Sequence, residues 1–142
     1  MNSVDSHILV IFGGSGDLTK RKLIPAMYDL YKKDLLPKQF AILGVGRSNY
    51  NDTEYRDHLA LGLQAYSNVD KIEAHDFLEH CYFVESEFQK TSGIPPLLQR
   101  LTELDVIYKT QGNFIFYLST PPSLYKPISE HLGTSNIAKP SE

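Results

Sequence analysis

Apolar positions in this chain fall into short unbroken runs, separated by longer stretches in which they recur every three or four residues. Ile8 to Phe12 (ILVIF) and Phe40 to Val45 (FAILGV) are continuous runs, as strands covered on both faces require. Tyr82 to Glu85 and Asn113 to Ser119 (NFIFYLS) are further strand signals, the last rich in aromatic and branched residues. Between them, Tyr55, Leu59 and Leu63 mark one helix, with Asp52 or Thr53 as its cap, and Lys71 to His80 suggests a second, short one. Leu97, Leu98, Leu101, Leu104 and Ile107 repeat at helical spacing behind a Pro95-Pro96 pair that suits a helix start.

Strand and helix thus alternate along the chain. That order predicts an α/β fold, a Rossmann-like doubly wound parallel sheet with right-handed crossovers and helices on both faces. The first crossover is the most informative. After Phe12 come Gly13, Gly14, Ser15, Gly16 and Asp17, then the basic, helix-forming stretch LTKRKLIPAMYDLYKK. Glycines there let the backbone turn tightly and approach a ligand, and the unpaired N–H groups opening the next helix favour an anion. Asp17 reads as the N-cap of that helix. Pro25 lies beyond the first turn, so the pattern predicts a short helix from Asp17 to about Leu23, a break, and a longer helix to Lys33.

With 142 residues, 42% hydrophobic and 22% charged, the chain has the makeup of one soluble globular domain. A formal net charge of -3 argues against general nucleic-acid binding, and the basic residues cluster locally at Lys20, Arg21 and Lys22. These three project about 100° apart on a helix and cannot all serve one ligand. Cys81 is the single cysteine, which excludes an internal disulfide framework and points to a reducing, cytoplasmic setting. The N-terminal apolar run is too short for a signal-peptide core or a membrane span. Residues 1–6 read as a tail, 7–132 as the folded domain, and 133–142 (GTSNIAKPSE) as a linker or truncated tail, the sheet being incomplete at its C-terminal end.

The loop GGSGDL meets the GxGxxG fingerprint only in part, and a ligand-free glycine turn fits it too. A P-loop is disfavoured, because Lys20 follows Thr19 and no GK[ST] occurs. The second strand runs on as ILGVGRS and places Arg47 where a dinucleotide's adenosine ribose would lie. An acidic residue there reads a free 2′-hydroxyl, whereas a guanidinium meets a 2′-phosphate with paired hydrogen bonds, so Arg47 points to NADP over NAD unless it is a solvated surface arginine. At the fourth strand's end, Ser119, Thr120 and Pro121 are candidates to border the cofactor. Tyr125 on the following helix is a candidate to stack on it or to pack in the core. His7, His58, His75, His80 and His131 show no metal spacing and read as structural, so no metal site is expected.

IFGGSGDLTKRKLIPAMYDLYKKDLLPKQFAILGVGRS, followed downstream by FYLSTPPSLYKPI, closely resembles the N-terminal coenzyme domain of the glucose-6-phosphate dehydrogenase family, over about His7 to Leu132. The resemblance implies that Gly13, Gly14, Ser15, Gly16, Asp17 and Leu18 form the cofactor-diphosphate turn. It also implies that Arg47 meets the 2′-phosphate of NADP, helped by Ser15, in an enzyme using NADP or both NADP and NAD. Lys22 matches the family lysine near both cofactor and sugar phosphate. The implied reaction is hydride transfer from C1 of β-D-glucose 6-phosphate to the nicotinamide, giving 6-phosphogluconolactone at the entry to the pentose phosphate pathway, in an enzyme expected to be a homo-oligomer.

The family's EKPFG motif, its RIDHYLGK segment and its general-base histidine are absent from these 142 residues. The resemblance therefore implies a coenzyme domain without catalytic residues of its own. The competing expectation is a non-catalytic NADP-binding or interaction module built on the same fold.

Overall fold

The computed structural model describes residues 6–86 and 94–119. Four strands form one parallel sheet: β1 (His7–Phe12), β2 (Phe40–Gly46), β3 (Cys81–Glu85) and β4 (Phe114–Leu118), in the order β3-β2-β1-β4. The helices are α1 (Ile24–Lys32), α2 (Asp52–Ser67), α3 (His75–Leu78) and α4 (Ile94–Tyr108), with a π-helical segment, Thr19–Leu23, leading into α1. The chain steps outward from β1 to β2 to β3, then returns across the sheet to place β4 on the other side of β1. This is the reversal of a doubly wound sheet, and it opens a crevice at the carboxyl ends of β1 and β4.

Side-chain alternation on buried strands builds two cores. Leu9 and Ile11 of β1 and Phe40 and Ile42 of β2 pack with Met27, Tyr28, Leu59, Leu63 and Phe77 beneath α1 to α3. Ile8, Val10, Phe12, Ala41, Leu43 and Val45 point the other way, onto Leu97, Leu101, Leu104 and Tyr108 of α4. A run that buries both its faces reads as continuous apolar sequence, which is why β1 and β2 were legible without alternation. β4 does alternate. Phe114, Phe116 and Leu118 pack toward α4, while Ile115 and Tyr117 on the opposite face are exposed.

The expected cap of α2 is corrected by one residue. Asn51 is the N-cap: its Oδ1 accepts from Glu54 N at 2.7 Å, and Glu54 Oε1 accepts from Asn51 N at 3.0 Å. Asp52 is thereby free for another task. Its Oδ1 accepts from Phe83 N at 3.0 Å, its Oδ2 pairs with Arg100 of α4, and Arg56 Nε donates to Cys81 O at 2.8 Å. Phe83 N and Cys81 O lie on the outer side of β3, so α2 occupies two polar groups that the sheet leaves unpaired there.

The break expected at Leu23 takes another form. Leu23 and Ile24 keep right-handed helical dihedrals, and Ile24 N–H reaches back to Thr19 O in the wider π spacing. Pro25, with no N–H to give, follows directly at the point where the π spacing passes into α1, so the wider turn takes the place of a break. The 71–80 helix contracts to α3, preceded by a turn in which Asp70 Oδ1 accepts from Glu73 N at 2.7 Å. Leu98 and Ile107, expected on the apolar stripe of α4, are exposed, and Tyr108 takes the buried place.

Candidate functional site

Chain reversal after β1 is held by the backbone itself. Gly13 and Gly14 both donate to Val45 O, at 2.8 and 3.1 Å, and Gly16 N closes a turn on Gly13 O at 2.9 Å. Gly13 has a φ of 83°, a left-handed conformation that a side chain would strain. At Gly14 the constraint is space, since a Cβ would stand 2.5 Å from Gly44 Cα on the neighbouring strand.

Each carbonyl of the loop has a partner within the domain. Gly13 O accepts from Gly16 N and from Thr19 Oγ1, the latter at 3.0 Å; Gly14 O accepts from Tyr55 Oη at 2.8 Å; Gly16 O accepts from Lys20 N at 3.1 Å. Ser15 O lies 3.1 Å from His58 Nε2. A carbonyl only accepts, so Nε2 carries the proton, and Nδ1 is left to accept from Tyr50 Oη at 3.4 Å. Burial first, then the nearby Lys20 ammonium, hold the imidazole below its ordinary pKa against the opposing pull of the Ser15 carbonyl. Tyr55 is fully buried, and burial raises its hydroxyl's pKa well above the usual range, so it stays a donor.

The N–H of Ser15 has no hydrogen-bond partner among the described residues. The loop thus faces outward with a donor while its acceptors are engaged inward. That donor set fits an anionic diphosphate.

Other expected site residues gather at the same end of the sheet. Ser119 N donates to Phe12 O at 2.8 Å, which carries the end of β4 to the loop, and Ser119 Oγ lies 3.0 Å from Thr19 Oγ1. Thr19 has one hydroxyl proton and gives it to Gly13 O, so Ser119 supplies the proton of that second bond. Ser15 Oγ and Ser48 Oγ are 2.9 Å apart, linking the loop to the residue after Arg47. Arg47 is exposed and has no ion-pair partner among the described residues. Thr120, Pro121 and Tyr125 lie outside the described residues.

The basic cluster divides as helical geometry requires. Lys20 is half-buried against α2, Arg21 pairs with Asp17 at 3.1 Å and lies over the Tyr66 ring at 5.7 Å, and Lys22 is exposed. Asp17 is not the N-cap expected from sequence. Leu18, already in helical conformation and exposed, holds that place without a side-chain cap, and Asp17 reaches forward one turn to Arg21 instead.

Sequence reasoning missed Tyr55, His58 and Ser48. The spacing of Tyr55 and His58 puts both on one side of α2, yet neither pattern nor composition says that this side meets a loop's carbonyls. Among the described residues the one grouping with metal-ligand proximity is His75, Asp76 and Glu79, and all three are exposed.

Comparison with known proteins now decides the family. The model for "Glucose-6-phosphate dehydrogenase, NAD binding domain" matches residues 10–142. This chain belongs to that family. A glucose-6-phosphate 1-dehydrogenase of Aggregatibacter actinomycetemcomitans is 43% identical over 92% of this chain and 26% of its own length. One from Treponema pallidum is 38% identical over 95% of this chain and 27% of its own. A solved glucose-6-phosphate dehydrogenase, in complex with its substrate glucose-6-phosphate, superposes with a TM-score of 0.82 at 25% identity, over 99% of this chain and 30% of that one. The chain thus spans about a quarter of the length of these dehydrogenase relatives. Placed on the glucose-6-phosphate dehydrogenase family, the glycine turn is the start of its dinucleotide-binding domain, and the parallel order β3-β2-β1-β4 is the Rossmann-like half-sheet expected of it.

Proposed function

We propose that this chain binds NADP as the coenzyme domain of a glucose-6-phosphate dehydrogenase, with the diphosphate on the Gly13 to Leu18 turn and the 2′-phosphate on Arg47. The observation that carries the choice of NADP is Arg47 itself: exposed, without a carboxylate partner among the described residues, and following the loop-linked strand end next to the Ser15–Ser48 hydroxyl pair. A free guanidinium at the carboxyl end of the second strand favours a phosphate there and gives a bare ribose no acceptor. NADP, when bound, accepts the hydride from C1 of glucose 6-phosphate.

The chain's own residues bind and orient. Ser15 N–H and the opening of the π-helical segment meet the diphosphate, Ser119 borders the crevice, and Lys22 is exposed and available to the sugar phosphate. No general base is assigned within these 142 residues, so the chain by itself binds cofactor without turnover, and catalysis belongs to a longer, homo-oligomeric protein. Cys81, free, buried and pushed up to about 12, is inert and suits a reducing cytoplasm. Among the described residues no helix is long and apolar enough to cross a membrane.

Titration of the chain with NADP and NAD tests the proposal. NADP is expected to bind more tightly, and Arg47→Ala to weaken NADP by about tenfold or more while leaving NAD unchanged. Equal affinities, or an Arg47→Ala protein with undiminished preference, would overturn it. The reading as an interaction module draws on one observation, the exposed Ile115 and Tyr117 face of β4. Concentration-dependent self-association without any dinucleotide binding would favour that reading instead.

A further inference from the structure

We infer that Tyr55 and His58 of α2 are positioning residues for cofactor binding, acting by holding the Gly14 and Ser15 carbonyls on the inner side of the glycine turn. The inference rests on the reading of that turn as the diphosphate site.

In a trans peptide the C=O and N–H point in opposite directions, and no described peptide bond is cis. Gly14 O is drawn inward by a hydroxyl that is itself fully buried, so the N–H of the same peptide, that of Ser15, points outward. This is the donor of the Gly13 to Gly16 turn that has no partner among the described residues. Ser15 O is drawn to His58 in the same way, which keeps the next carbonyl dipole off the ligand side. Were the Gly14 carbonyl released, its peptide could rotate and set a partial negative charge where the Ser15 N–H now faces a diphosphate. Were Ser15 O released, its peptide, whose N–H is bonded to Gly13 O, would lose one of its two anchors and could tilt that carbonyl toward the anion.

The other two carbonyls of the loop are held by backbone N–H groups close in sequence, which any turn of this shape supplies. Gly14 and Ser15 alone depend on side chains from another helix. The separations are 41 and 43 residues along the chain, so these bonds form only when α2 is docked. Docking is tight: a Cβ on Gly44 would stand 2.4 Å from the Tyr55 hydroxyl, so the bare strand at Gly44 is what admits that hydroxyl to the loop. His58 is fixed from behind by Tyr50, whose ring centroid lies 5.4 Å from the imidazole.

Dissociation constants for NADP are measured on the 142-residue chain and on Tyr55→Phe, His58→Ala and His58→Gln, with melting temperatures alongside. Tyr55→Phe keeps the ring and loses only the hydroxyl. It is expected to bind NADP about five- to tenfold more weakly, as is His58→Ala. His58→Gln restores an N–H donor at similar reach and is expected to stay within about twofold of the unaltered chain. The ¹H–¹⁵N resonance of Ser15, the N–H of the peptide that Tyr55 holds, reports the mechanism directly: its NADP-induced shift is expected to collapse in Tyr55→Phe. If both variants that lose the donor bind NADP as the unaltered chain does, or if glutamine fails to rescue binding in a protein with normal melting, the inference is overturned. His58 is half-buried, so its variants keep the test decisive should Tyr55→Phe fold poorly. Failure of the unaltered chain to bind NADP at all is a different result and removes the proposed function instead.

Discussion

Gly62 of α2 lies so close to Lys20 that a Cβ built on it would stand 2.5 Å from Lys20 Cγ and 2.9 Å from the Lys20 carbonyl oxygen. Helix α2 therefore rests on the π-helical segment at the Lys20 backbone and the root of its side chain, not at a flexible side-chain end. Alanine favours an exposed helix over glycine by about 1 kcal/mol, but here the added methyl must push the turn away, at about 1–3 kcal/mol. Gly62→Ala is expected to lower the urea midpoint and weaken NADP binding together. A stabilised Gly62→Ala protein would show that the segment yields freely.

Tyr28 carries a buried hydroxyl with no hydrogen-bond partner among the described residues, while its ring packs edge-on to Phe77 at 5.4 Å. Tyr28→Phe keeps the ring contact and removes the desolvated oxygen. The variant is expected to be more stable by about 1 kcal/mol, seen as a higher melting temperature. A loss of stability would mean that the oxygen has a partner in solution.

His58 sets an acid limit on the fold. Its pKa is lowered from the ordinary 6.5 by burial and by Lys20, so protonation is easier in the unfolded chain than in the folded one. Stability from this site is therefore complete above about 6.5 and is lost as pH falls through the lower, folded value. Melting temperatures recorded downward from neutral pH should fall less steeply for His58→Gln than for the unaltered chain. Parallel curves would assign the acid sensitivity to other groups.

Asp52 joins α2, β3 and α4 through Phe83 N and Arg100. Asp52→Ala loses both bonds and leaves Arg100 part-buried without its main counter-charge. It should cost about 1–3 kcal/mol, discounted because the pair is partly solvated. Asp52→Asn keeps an acceptor for Phe83 N and should lose less. Chemical denaturation of the two variants separates the parts played by the edge bond and the charge.

How far the sequence carried the fold depends on where the information lies. β1 and β2 were plain, because a strand buried on both faces has no polar positions to interrupt it. The tight turn at Gly13 to Gly16 was legible because local chain chemistry defines it. Tertiary choices were not. Asn51 displaced Asp52 as cap because Glu54 completed a reciprocal pair and Phe83 competed for Asp52. Leu98 and Ile107 share a helical period with Leu101 and Leu104, but the width of the buried stripe is set by the sheet beneath. Tyr55 read as an apolar-face residue, and its hydroxyl had meaning only once Gly44 and Gly14 were seen to leave room for it.

The two outer strands of the described sheet are finished differently. On β3, the outward Phe83 N–H and Cys81 C=O are engaged by Asp52 and Arg56, four residues apart on one helix. An approaching strand finds two of its docking points already bonded, and must break charged hydrogen bonds before it can add. β4 has no such guard among the described residues, and it presents Ile115 and Tyr117 on its uncovered face. The β3 flank is thus closed by a helix whose first two turns supply both the acceptor and the donor that a recruited strand would otherwise bring.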